Sequence, residues 1–538
     1  MNMFVLAQIL VLVLSFWSCK TVRTASSLPF STLKSTSYCS DLGLRKVSFE
    51  AVPEKTGLYD KAADFILPTT EGSFQLSEAY SGCDTYLIIQ DEPKQTRDTV
   101  PSLWSRDAEA LIKAMPRNTH VLFVASGSDS ARFKQSLSLI QGQMATVLSS
   151  FSSQEAEHWR SHLHFVTKPL EEIPSWVGDV LRNPGWGVGI DRFQRIRYIG
   201  SFADPRRPDA KGEWFTSNLS MLANEAVYYN FEERREAALS AQNATVISFL
   251  KGEVIEDKGA QGKIFFDRDL PEAKDFAQFD GLEFDLYLAC SGDGEYGVCP
   301  AWDSTVTLYL CDPKNESSCE IELGRWITTY HREGRWVIDA SPLLPLLKGG
   351  GRRHFAFYSH QPYEVTLNMR LFQRHEDLRA FETIPLFTGG NFDTHYNENH
   401  PPKSLRVPPK FKKAELVTAI TGHGMQEPGN CAEFCDTTHR FWLNGTAVER
   451  HFSRAGTEFG CMQEVDKGTV PNQYGTWWYG RSGWCPGREV TLLRQDVTAL
   501  IRPGQDNEIR YEGFFQGKPY PTGGANFLVS SFLVFSEE

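Results

Sequence analysis

The chain has 538 residues, of which 41% are hydrophobic and 23% are charged. At about 150 residues per domain, this length predicts roughly three to four folded domains. The 42 glycines and 28 prolines are too few for a collagenous or a largely disordered chain. The formal charge of −12 excludes the overall positive field that attracts nucleic-acid phosphates, so we expect no nucleic-acid partner.

An apolar run near the start of the sequence, Phe4–Trp17, is interrupted only by Gln8 and Ser15. As a helix, such a run rises only about 21 Å, which is too short for the roughly 30 Å hydrocarbon core of a bilayer. The run favours a secretory signal peptide, which we place at residues 1–25, and a short signal anchor is the alternative. We therefore expect a secreted, extracellular or lumenal protein that does not contact the membrane beyond this segment.

The cysteine and sequon content agrees with that route. If Cys19 leaves with the signal peptide, an even number of cysteines remains, which is typical of disulfides in an oxidising compartment. The remaining cysteines are Cys39, Cys83, Cys290, Cys299, Cys311, Cys319, Cys431, Cys435, Cys461 and Cys485. The sequons that predict N-glycosylation are Asn218, Asn243, Asn315 and Asn444.

Residues from Cys39 to Ser201 alternate between strand and helix patterns. Tyr86–Ile89 and Val121–Ala125 are short apolar runs typical of buried strands, whereas Ala108–Met115 has a helical composition. This alternation predicts an α/β domain over residues 26–201, in which helices cover a sheet.

The sequence Ala63–Pro68 resembles the opening of thioredoxin-like and peroxiredoxin-like domains, and Gly189–Tyr198 resembles their closing hairpin. Redox-active members of these families carry a reactive cysteine just after the strand that corresponds to Tyr86–Ile89. This chain has Asp91–Lys94 there, and without a thiolate there is no nucleophile for disulfide exchange or peroxide reduction. The resemblance therefore implies a thioredoxin-like domain that is redox-silent.

A linker with a helix is predicted between this domain and the rest of the chain, over residues 202–244. Pro205–Asp209 combines two prolines with charged residues, which is typical of exposed chain. Leu219–Leu239 has a helical composition and is interpreted as a connector.

An all-β pattern begins near Thr245. Apolar residues alternate with polar ones along Leu282–Leu288, which predicts a strand with one buried face. The Pro/Asn-rich stretch Gly389–Pro409 divides this region and predicts a second linker over residues 386–409. Two antiparallel β-sandwiches are therefore predicted, at residues 245–385 and 410–538.

Three cysteine-containing motifs in the β region carry the residues that could perform chemistry. They are Cys290-x8-Cys299-Pro-Ala-Trp302-Asp303, Thr421-Gly-His423 followed by Cys431-Ala-Glu433-Phe-Cys435, and Arg481-Ser-Gly-Trp484-Cys485 with Cys461 as the partner of Cys485. Taken singly, each is more typical of a structural disulfide with a solvated carboxylate nearby. The spacing of Cys431 and Cys435 is near that of a zinc motif, but the second ligand pair is missing, so we expect no metal.

Together and in this order, the motifs resemble the peptide-N-glycosidase F family, over about Thr245–Phe535. The resemblance implies two jelly-roll sandwiches packed side by side with an active site between them. It implies a monomer without a cofactor that hydrolyses the GlcNAc–Asn amide of N-glycosylated proteins or glycopeptides.

The resemblance also assigns roles by position. Asp303 matches the catalytic aspartate of the family, and Glu433 matches a second active-site glutamate that contacts the chitobiose core. Arg481 and Trp484 match residues that line the sugar site, and Trp302 would add a platform for a sugar face, as would Trp477 or Trp478. His423 is either a strained loop contact or a substrate donor. The implied disulfides are Cys290–Cys299, Cys431–Cys435 and Cys461–Cys485, with Cys311–Cys319 and Cys39–Cys83 as additions of this chain.

Two departures from the family pattern bear on activity. Ser304 stands where the family has an arginine after the catalytic aspartate, and Ser359 or His360 stands where it has a third carboxylate. Glu364 could replace that carboxylate only if the strand end shifts. The departures favour, as an alternative, a glycan-binding protein without catalysis. A copper monooxygenase on a similar double sandwich is disfavoured because the β region lacks paired histidines.

Overall fold

The structure is a computed structural model that describes residues 38–41, 43–91, 102–127, 129–182, 187–200, 202, 218–255, 262–290, 299–316, 318–424, 431–518 and 524–538. All of these residues belong to one compact unit, Ser35–Glu538. The predicted signal peptide and the Pro205–Asp209 segment lie outside the described residues. Within the described ranges, no helix is long and apolar enough to cross a membrane.

The N-terminal part is an α/β domain, as the alternation of patterns predicts. Its elements are α1 (Tyr38–Asp41), β1 (Ile66–Thr69), β2 (Gly72–Gln75), α2 (Leu76–Ala79), β3 (Thr85–Gln90), α3 (Ala108–Ala114), β4 (Thr119–Val124), α4 (Ser130–Ser149), α5 (Ser153–Arg160), β5 (Leu163–Phe165), α6 (Trp176–Arg182), β6 (Gly187–Ile190), β7 (Ile196–Tyr198) and α7 (Leu222–Ala241). The main sheet has the strand order β5-β4-β3-β6-β7, in which β3, β4 and β5 are parallel and β6 and β7 are antiparallel. All residues of β3 are buried, because helices cover both faces of a sheet of this kind.

The first sandwich consists of two antiparallel sheets. Its elements are β8 (Thr245–Ile255), β9 (Gly262–Glu272), α8 (Ala273–Phe276), β10 (Gly281–Ala289), β11 (Thr305–Leu310), β12 (Ile321–Ile327), β13 (Gly334–Asp339), β14 (Gly350–Ser359) and β15 (Tyr363–Phe372). One sheet has the order β13-β10-β15-β8, and the other contains β12-β11-β14-β9. Phe249 and Phe355 come from different sheets, and their rings lie 4.6 Å apart, so the two sheets pack face to face.

The second sandwich is built in the same way. Its elements are β16 (Arg379–Asn391), β17 (Lys403–Arg406), β18 (Lys413–His423), α9 (Cys431–Phe434), β19 (Thr437–Leu443), β20 (Thr446–His451), β21 (Arg488–Glu489), β22 (Leu493–Asp496), β23 (Asp506–Phe515) and β24 (Asn526–Glu537). The sheets β16-β24-β18-β22 and β17-β23-β19-β20 enclose a core of their own around Phe441, Tyr511 and Phe527. The strand β21 instead pairs with β12 and so extends a sheet of the first sandwich.

The predicted linker at residues 386–409 is part of the second sandwich. The strand β16 pairs with β24 from Arg379 onward, and β17 pairs with β23. The prediction of a linker was wrong because the prolines and glycines of this stretch mark irregularities within an edge strand. The pairing of β16 shifts register between Pro385 and Thr388, and edge strands and bulges are the places where a sheet tolerates proline.

The helix α7 packs between the α/β domain and both sandwiches. Its Glu236 accepts a hydrogen bond from Arg335 of β13 at 2.8 Å, and Arg335 also pairs with Asp285 of β10. The helix therefore covers the outer face of that sheet, which the alternation along Leu282–Leu288 had assigned to solvent. Asp285 and Glu283 are consequently buried and paired with arginines.

Four of the predicted disulfides are confirmed, namely Cys39–Cys83, Cys290–Cys299, Cys311–Cys319 and Cys461–Cys485. Two sequons are less accessible than predicted. Asn218 is fully buried and caps a helical turn through Ser220, and both amide protons of Asn444 are bound, to Leu500 O and Asn507 Oδ1. Asn243 and Asn315 are exposed, so these two remain accessible for glycosylation.

Four histidines from β4, α5, β5 and the turn before β5 form a cluster on the α/β domain. His120 Nδ1 lies 3.0 Å from His164 Nε2, and the rings of His120 and His158 both stack against His162 at about 4 Å. Burial, together with the neighbouring imidazoles, lowers the pKa of His162 to about 4 and that of His164 to about 3. Asp84, Arg117 and Glu155 also face the cluster.

This cluster predicts a loss of stability in mild acid. Below pH 6.5 the histidines of the unfolded chain bind protons, whereas the buried rings of the folded protein stay neutral. The free energy of unfolding therefore falls by about 1.4 kcal/mol per pH unit for each such ring. The loss continues down to the folded-state pKa values. Thermal unfolding from pH 7 to pH 4.5 should show this drop in wild type and a smaller one in His164→Asn. The exposed His375→Asn, outside the cluster, should behave like wild type, and an equal drop in all three proteins would contradict the prediction.

Candidate functional site

The three motifs meet where the two sandwiches face each other. Asp303 lies two residues before β11, Glu433 lies in α9, and Arg481 lies in the long segment between β20 and β21. Hydrogen bonds join the second and third of these segments, because Ser482 N donates to Glu433 O at 2.7 Å and Gly422 N donates to Ser482 O at 2.9 Å. The disulfides Cys290–Cys299 and Cys461–Cys485 anchor two of the segments.

Arg481 lies at the centre of the group. Its Nε is 2.9 Å from Glu433 Oε1, and its guanidinium lies 4.2 Å from the ring centre of Phe434 and 5.4 Å from that of Trp484. Hydrogen bonds to Tyr479 O and to Thr476 hold the guanidinium in place. A buried cation held in this way can neutralise negative charge on two carboxylates or on a bound oxygen.

Asp303 has one carboxylate oxygen in an unusual environment. Its Oδ2 is buried and accepts no hydrogen bond from any residue in the described ranges. Burial raises the pKa of Asp303, against the opposing effects of the Arg481 charge and of the Tyr330 hydroxyl. A buried carboxylate with unused acceptor capacity and a raised pKa is suited to bind and to move a proton.

Tyr330 is a functional residue that the sequence analysis missed. Its hydroxyl hydrogen-bonds to the Asp303 carboxyl, and burial raises its own pKa, so it stays protonated. Tyr330 follows β12 in the polar run Thr328–Arg332. A polar run directly after a predicted buried strand was the signal that could have identified it, since strand ends are common positions for functional side chains.

Glu433 has a pKa that is shifted toward neutrality. Burial and the nearby charge of Asp303 raise the pKa of Glu433 to about 7, although Arg481 opposes the shift. Glu433 and Asp303 therefore interact electrostatically, and Arg481 acts on both. The two acids that the sequence predicted to be partners are thus brought to one site.

The aromatic residues divide into two groups. Trp484 is buried against the His423 ring at 5.1 Å and donates to Gly422 O at 2.7 Å, whereas Trp302 is 67% exposed beside Asp303. Trp302 can therefore offer a face to a ligand. Trp477 and Trp478 are fully buried, so they belong to the core and do not serve as sugar platforms.

His423 is held within the protein. Its Nε2 lies 2.8 Å from Thr421 Oγ1, and burial together with the charge of Arg325 lowers its pKa to about 3. It is therefore a neutral ring at physiological pH. His360 of the first sandwich also lowers the pKa of His423, so these two rings from different sandwiches lie near each other.

The predicted disulfide Cys431–Cys435 is absent. Cys431 and Cys435 are not joined by a disulfide in the structure, although their sulfur atoms lie 2.7 Å apart. Both residues lie in or next to the single turn of α9, where Glu433 stands between them. The turn is instead tied down by its contacts with Arg481 and Ser482.

Ser359, at the predicted position of the third family carboxylate, and Glu364, its possible substitute, have different environments. Ser359 is buried and its Oγ donates to Gln361 O at 2.7 Å. Glu364 is exposed and lies opposite Ala289 and Val254 in the sheet β10-β15-β8. The Ser304 amide donates to Thr328 Oγ1, so Ser304 fixes the strand end and carries no charge into the site.

A cleft of about 350 Å³ adjoins the site, lined by Arg481, Trp484, Phe452 and Glu489 among others. In the part of the chain that the structure describes, no group of three or more His, Cys, Asp or Glu side chains is arranged to hold a metal ion.

Parts of this chain are similar in sequence to known proteins. Residues 391–534 match the family model described as "Peptide-N-glycosidase F, C terminal". Peptide-N(4)-(N-acetyl-beta-D-glucosaminyl)asparagine amidase F of Elizabethkingia miricola is 26% identical over 261 residues, which cover 44% of this chain and 70% of that protein.

Two solved structures illustrate the structural similarity. PNGase F from Flavobacterium meningosepticum, titled a glycosylasparaginase, is 17% identical, with a TM-score of 0.43 over 55% of this chain and 96% of that chain. A thiol:disulfide interchange protein DsbE of Chlorobium tepidum is 20% identical, with a TM-score of 0.16 over 26% of this chain and 83% of that chain. The family model and the curated relative thus make the C-terminal half of this chain similar to peptide-N-glycosidase F.

Proposed function

We propose that this protein is an amidase that removes N-linked glycans by hydrolysing the GlcNAc–Asn side-chain amide. The observation that carries the proposal is the position of Arg481, which lies 2.9 Å from Glu433 Oε1 and whose charge opposes the raised pKa of both Glu433 and Asp303. The products are an aspartate in the peptide and a glycosylamine. The curated relative is named as an amidase of this kind, which supports the same substrate class, N-glycosylated proteins and glycopeptides.

In the proposed mechanism, Asp303 activates the attacking water or assists protonation of the departing nitrogen. Amide hydrolysis needs a nucleophilic water, a proton for the leaving amine and stabilisation of the oxyanion that develops on the carbonyl. Arg481 is the cation available for the oxyanion or for a sugar oxygen. The protonated Tyr330 hydroxyl keeps the Asp303 carboxyl oriented.

Glu433 is proposed to hold the first GlcNAc and its amide in register. With a pKa of about 7, its carboxyl can either donate or accept a hydrogen bond near neutral pH. Trp302 supplies an exposed indole face for a sugar ring, and the stacked pair Trp484–His423 forms the apolar wall beside Arg481.

A second candidate is a glycan-binding protein that has lost catalysis. The observation that favours it is that Ser359 or His360 stands at the place of the third family carboxylate and that Glu364 is exposed on the sheet β10-β15-β8. Loss of one acid–base group typically reduces a rate by about 10²–10⁴-fold, so binding without turnover is the alternative to test.

The deciding experiment treats a denatured N-glycoprotein with the full-length secreted protein in H₂¹⁸O. Amidase activity releases the glycan and converts Asn to Asp carrying one ¹⁸O, which mass spectrometry of the peptide detects. Binding of N-glycans without release supports the second candidate. Neither binding nor release contradicts both.

The Tyr330→Phe variant tests the orienting role of the hydroxyl. Because the hydrogen bond from Tyr330 lowers the pKa of Asp303, its loss should shift the limb of the pH–rate profile that belongs to Asp303 to higher pH. We expect kcat to fall by about tenfold, at the low end for a positioned proton-transfer group. An unchanged kcat and pH profile in Tyr330→Phe would remove Tyr330 from the mechanism.

We also propose that the α/β domain is thioredoxin-like and redox-silent, and that the protein works in an oxidising, secretory compartment. The strand order β5-β4-β3-β6-β7 and the closing hairpin of β6 and β7 support the fold assignment. Asp91, which follows β3, is buried and accepts hydrogen bonds from Ser126 N and Oγ, so a carboxylate stands where redox relatives place a thiol. The four disulfides support the compartment.

A further inference from the structure

The α/β domain and the two sandwiches meet at one buried ion pair. Glu225 of α7 lies 3.1 Å from Arg332, which belongs to the turn between β12 and β13, and both side chains are 0% exposed. Burying two charges costs free energy, and a buried pair adds little net stability compared with apolar residues of the same shape. The pair therefore needs an explanation other than the stability of the fold.

The surrounding hydrogen bonds join all three parts of the chain. Glu225 Oε1 also accepts from Gly200 N at 3.0 Å and from Asn472 Nδ2 at 2.9 Å. Arg332 donates to Tyr198 O of the α/β domain and to Pro471 O of the long segment between β20 and β21. The ion pair thus fixes Arg332 and Asn472 at the same time.

Both fixed residues adjoin the residues that position Tyr330. Arg332 follows Tyr330 by two residues, and its carbonyl accepts a hydrogen bond from Thr329 Oγ1. Asn472 precedes Gln473, whose Oε1 accepts from Tyr330 N at 2.9 Å. Gly475 of the same segment lies so close to the Tyr330 ring that a Cβ there would be 2.7 Å from it. The Tyr330 backbone is therefore held by Gln473 and its ring lies against Gly475, and both belong to the segment that Glu225 binds through Asn472.

We propose that Glu225 is a positioning residue of the amidase reaction, through which the α/β domain sets the placement of Tyr330 against Asp303. The inference rests on the proposed function, and it gives the α/β domain a part in the chemistry that needs no thiol. A residue that acts in this way changes the chemical step more than substrate binding, because small displacements of a catalytic group affect the transition state most.

The test compares full-length Glu225→Gln and Glu225→Asp with a matched control on the same helix. Glu232 is also buried and pairs with Arg197 of β7 at 2.5 Å and with Arg235 of α7 at 3.3 Å. Arg235 donates to Arg335 O of β13, and neither arginine is among the residues that Glu225 binds. Glu232→Gln therefore removes a comparable buried charge without reaching Tyr330. For each variant, the melting temperature, kcat, KM and the pH–rate profile are measured on a glycopeptide.

We expect Glu225→Gln to lower kcat by about tenfold or more with KM nearly unchanged. The limb of the pH–rate profile that belongs to Asp303 should move to higher pH, as in Tyr330→Phe. Glu225→Asp should recover part of the loss in kcat. Glu232→Gln should lose thermal stability but keep kcat and the pH profile. Equal effects of Glu225→Gln and Glu232→Gln on kcat and on the pH profile would overturn the proposal.

A double variant and an NMR titration are added to this test. If Glu225→Gln does not fold, the double variant Glu225→Gln/Arg332→Met removes both charges, which buried pairs generally tolerate better than loss of one partner. The pKa of Asp303 is also followed by carboxyl NMR, with assignment by Asp303→Asn. An upward shift in the Glu225 variants supports the positioning role and an unmoved titration overturns it, whether or not wild type releases glycan. Failure of wild type to release glycan overturns the proposed function instead.

Discussion

Asp303→Asn should lower glycan release by about 10²–10⁴-fold, the range for loss of a group that transfers a proton in the transition state. The substitution preserves the shape of the side chain but removes its ability to take up or give a proton. Because Oδ2 accepts no hydrogen bond within the described residues, the amide should fit without breaking a protein contact. Binding of the free glycan should therefore change little, and kcat should carry the loss.

Glu364→Gln is the matched comparison for this prediction. Glu364 is the other acid that the sequence suggested near this end of the first sandwich, but it is exposed at the sheet β10-β15-β8. We expect Glu364→Gln to release glycan at the wild-type rate, measured by mass spectrometry of the released glycan under single-turnover conditions. Equal release by wild type and Asp303→Asn would exclude Asp303 from the chemistry.

Glu433→Gln should lower kcat/KM by roughly two to four powers of ten. The change leaves the buried Arg481 guanidinium without its carboxylate at 2.9 Å, and breaking a buried pair by removing one partner costs about 3–5 kcal/mol. At about 1.4 kcal/mol per tenfold change, that cost gives the stated loss if it falls on substrate binding and orientation. We expect KM to rise as well as kcat to fall.

The pH dependence separates this role from a purely structural one. With a pKa of about 7, Glu433 should give the wild-type kcat/KM profile a transition near pH 7, and Glu433→Gln should lack that transition because the amide does not titrate. Glu415→Gln is the control, since Glu415 is a buried acid of the same sandwich that pairs with Arg494 at 2.7 Å. Glu415→Gln should lower the melting temperature and leave both kinetic constants unchanged. A transition near pH 7 that persists in Glu433→Gln would contradict the assignment.

The residues that could be predicted from the sequence are those whose chemistry is concentrated in short segments. Asp303, Glu433 and Arg481 each stand within a few residues of a cysteine, and such local motifs survive low overall identity. Tyr330 could not be found in this way, because its contact with Asp303 joins two segments that only the sheet of β11 and β12 brings together. Glu225 was hidden for the same reason, since its partner lies 107 positions away.

The errors in the fold came from residues whose local meaning tertiary context reversed. Gly389 indicated a linker, but it lies in an edge strand whose partner β24 is at the far end of the chain. Trp477 and Trp478 were candidates for sugar platforms, yet the long segment that carries them folds inward and buries both indoles. The sequon at Asn218 is buried because the same amide caps a helical turn. Sequence pattern and spacing indicate the local conformational preference of a segment, whereas the burial of a side chain depends on which other segments pack against it.

The pairing of β21 with β12 has a consequence for dissecting this protein. Residues 391–534, taken alone, would carry Arg488–Glu489 away from Trp326 and Ile327 and would leave the buried faces of Val490 and Trp484 without Ile327, which shares a core cluster with them. The remaining fragment would gain a bare strand edge on β12, and unpaired edges of this kind promote aggregation. The two sandwiches are thus linked by a strand of the second that pairs in a sheet of the first. Neither sandwich is expected to fold well as a fragment without the other.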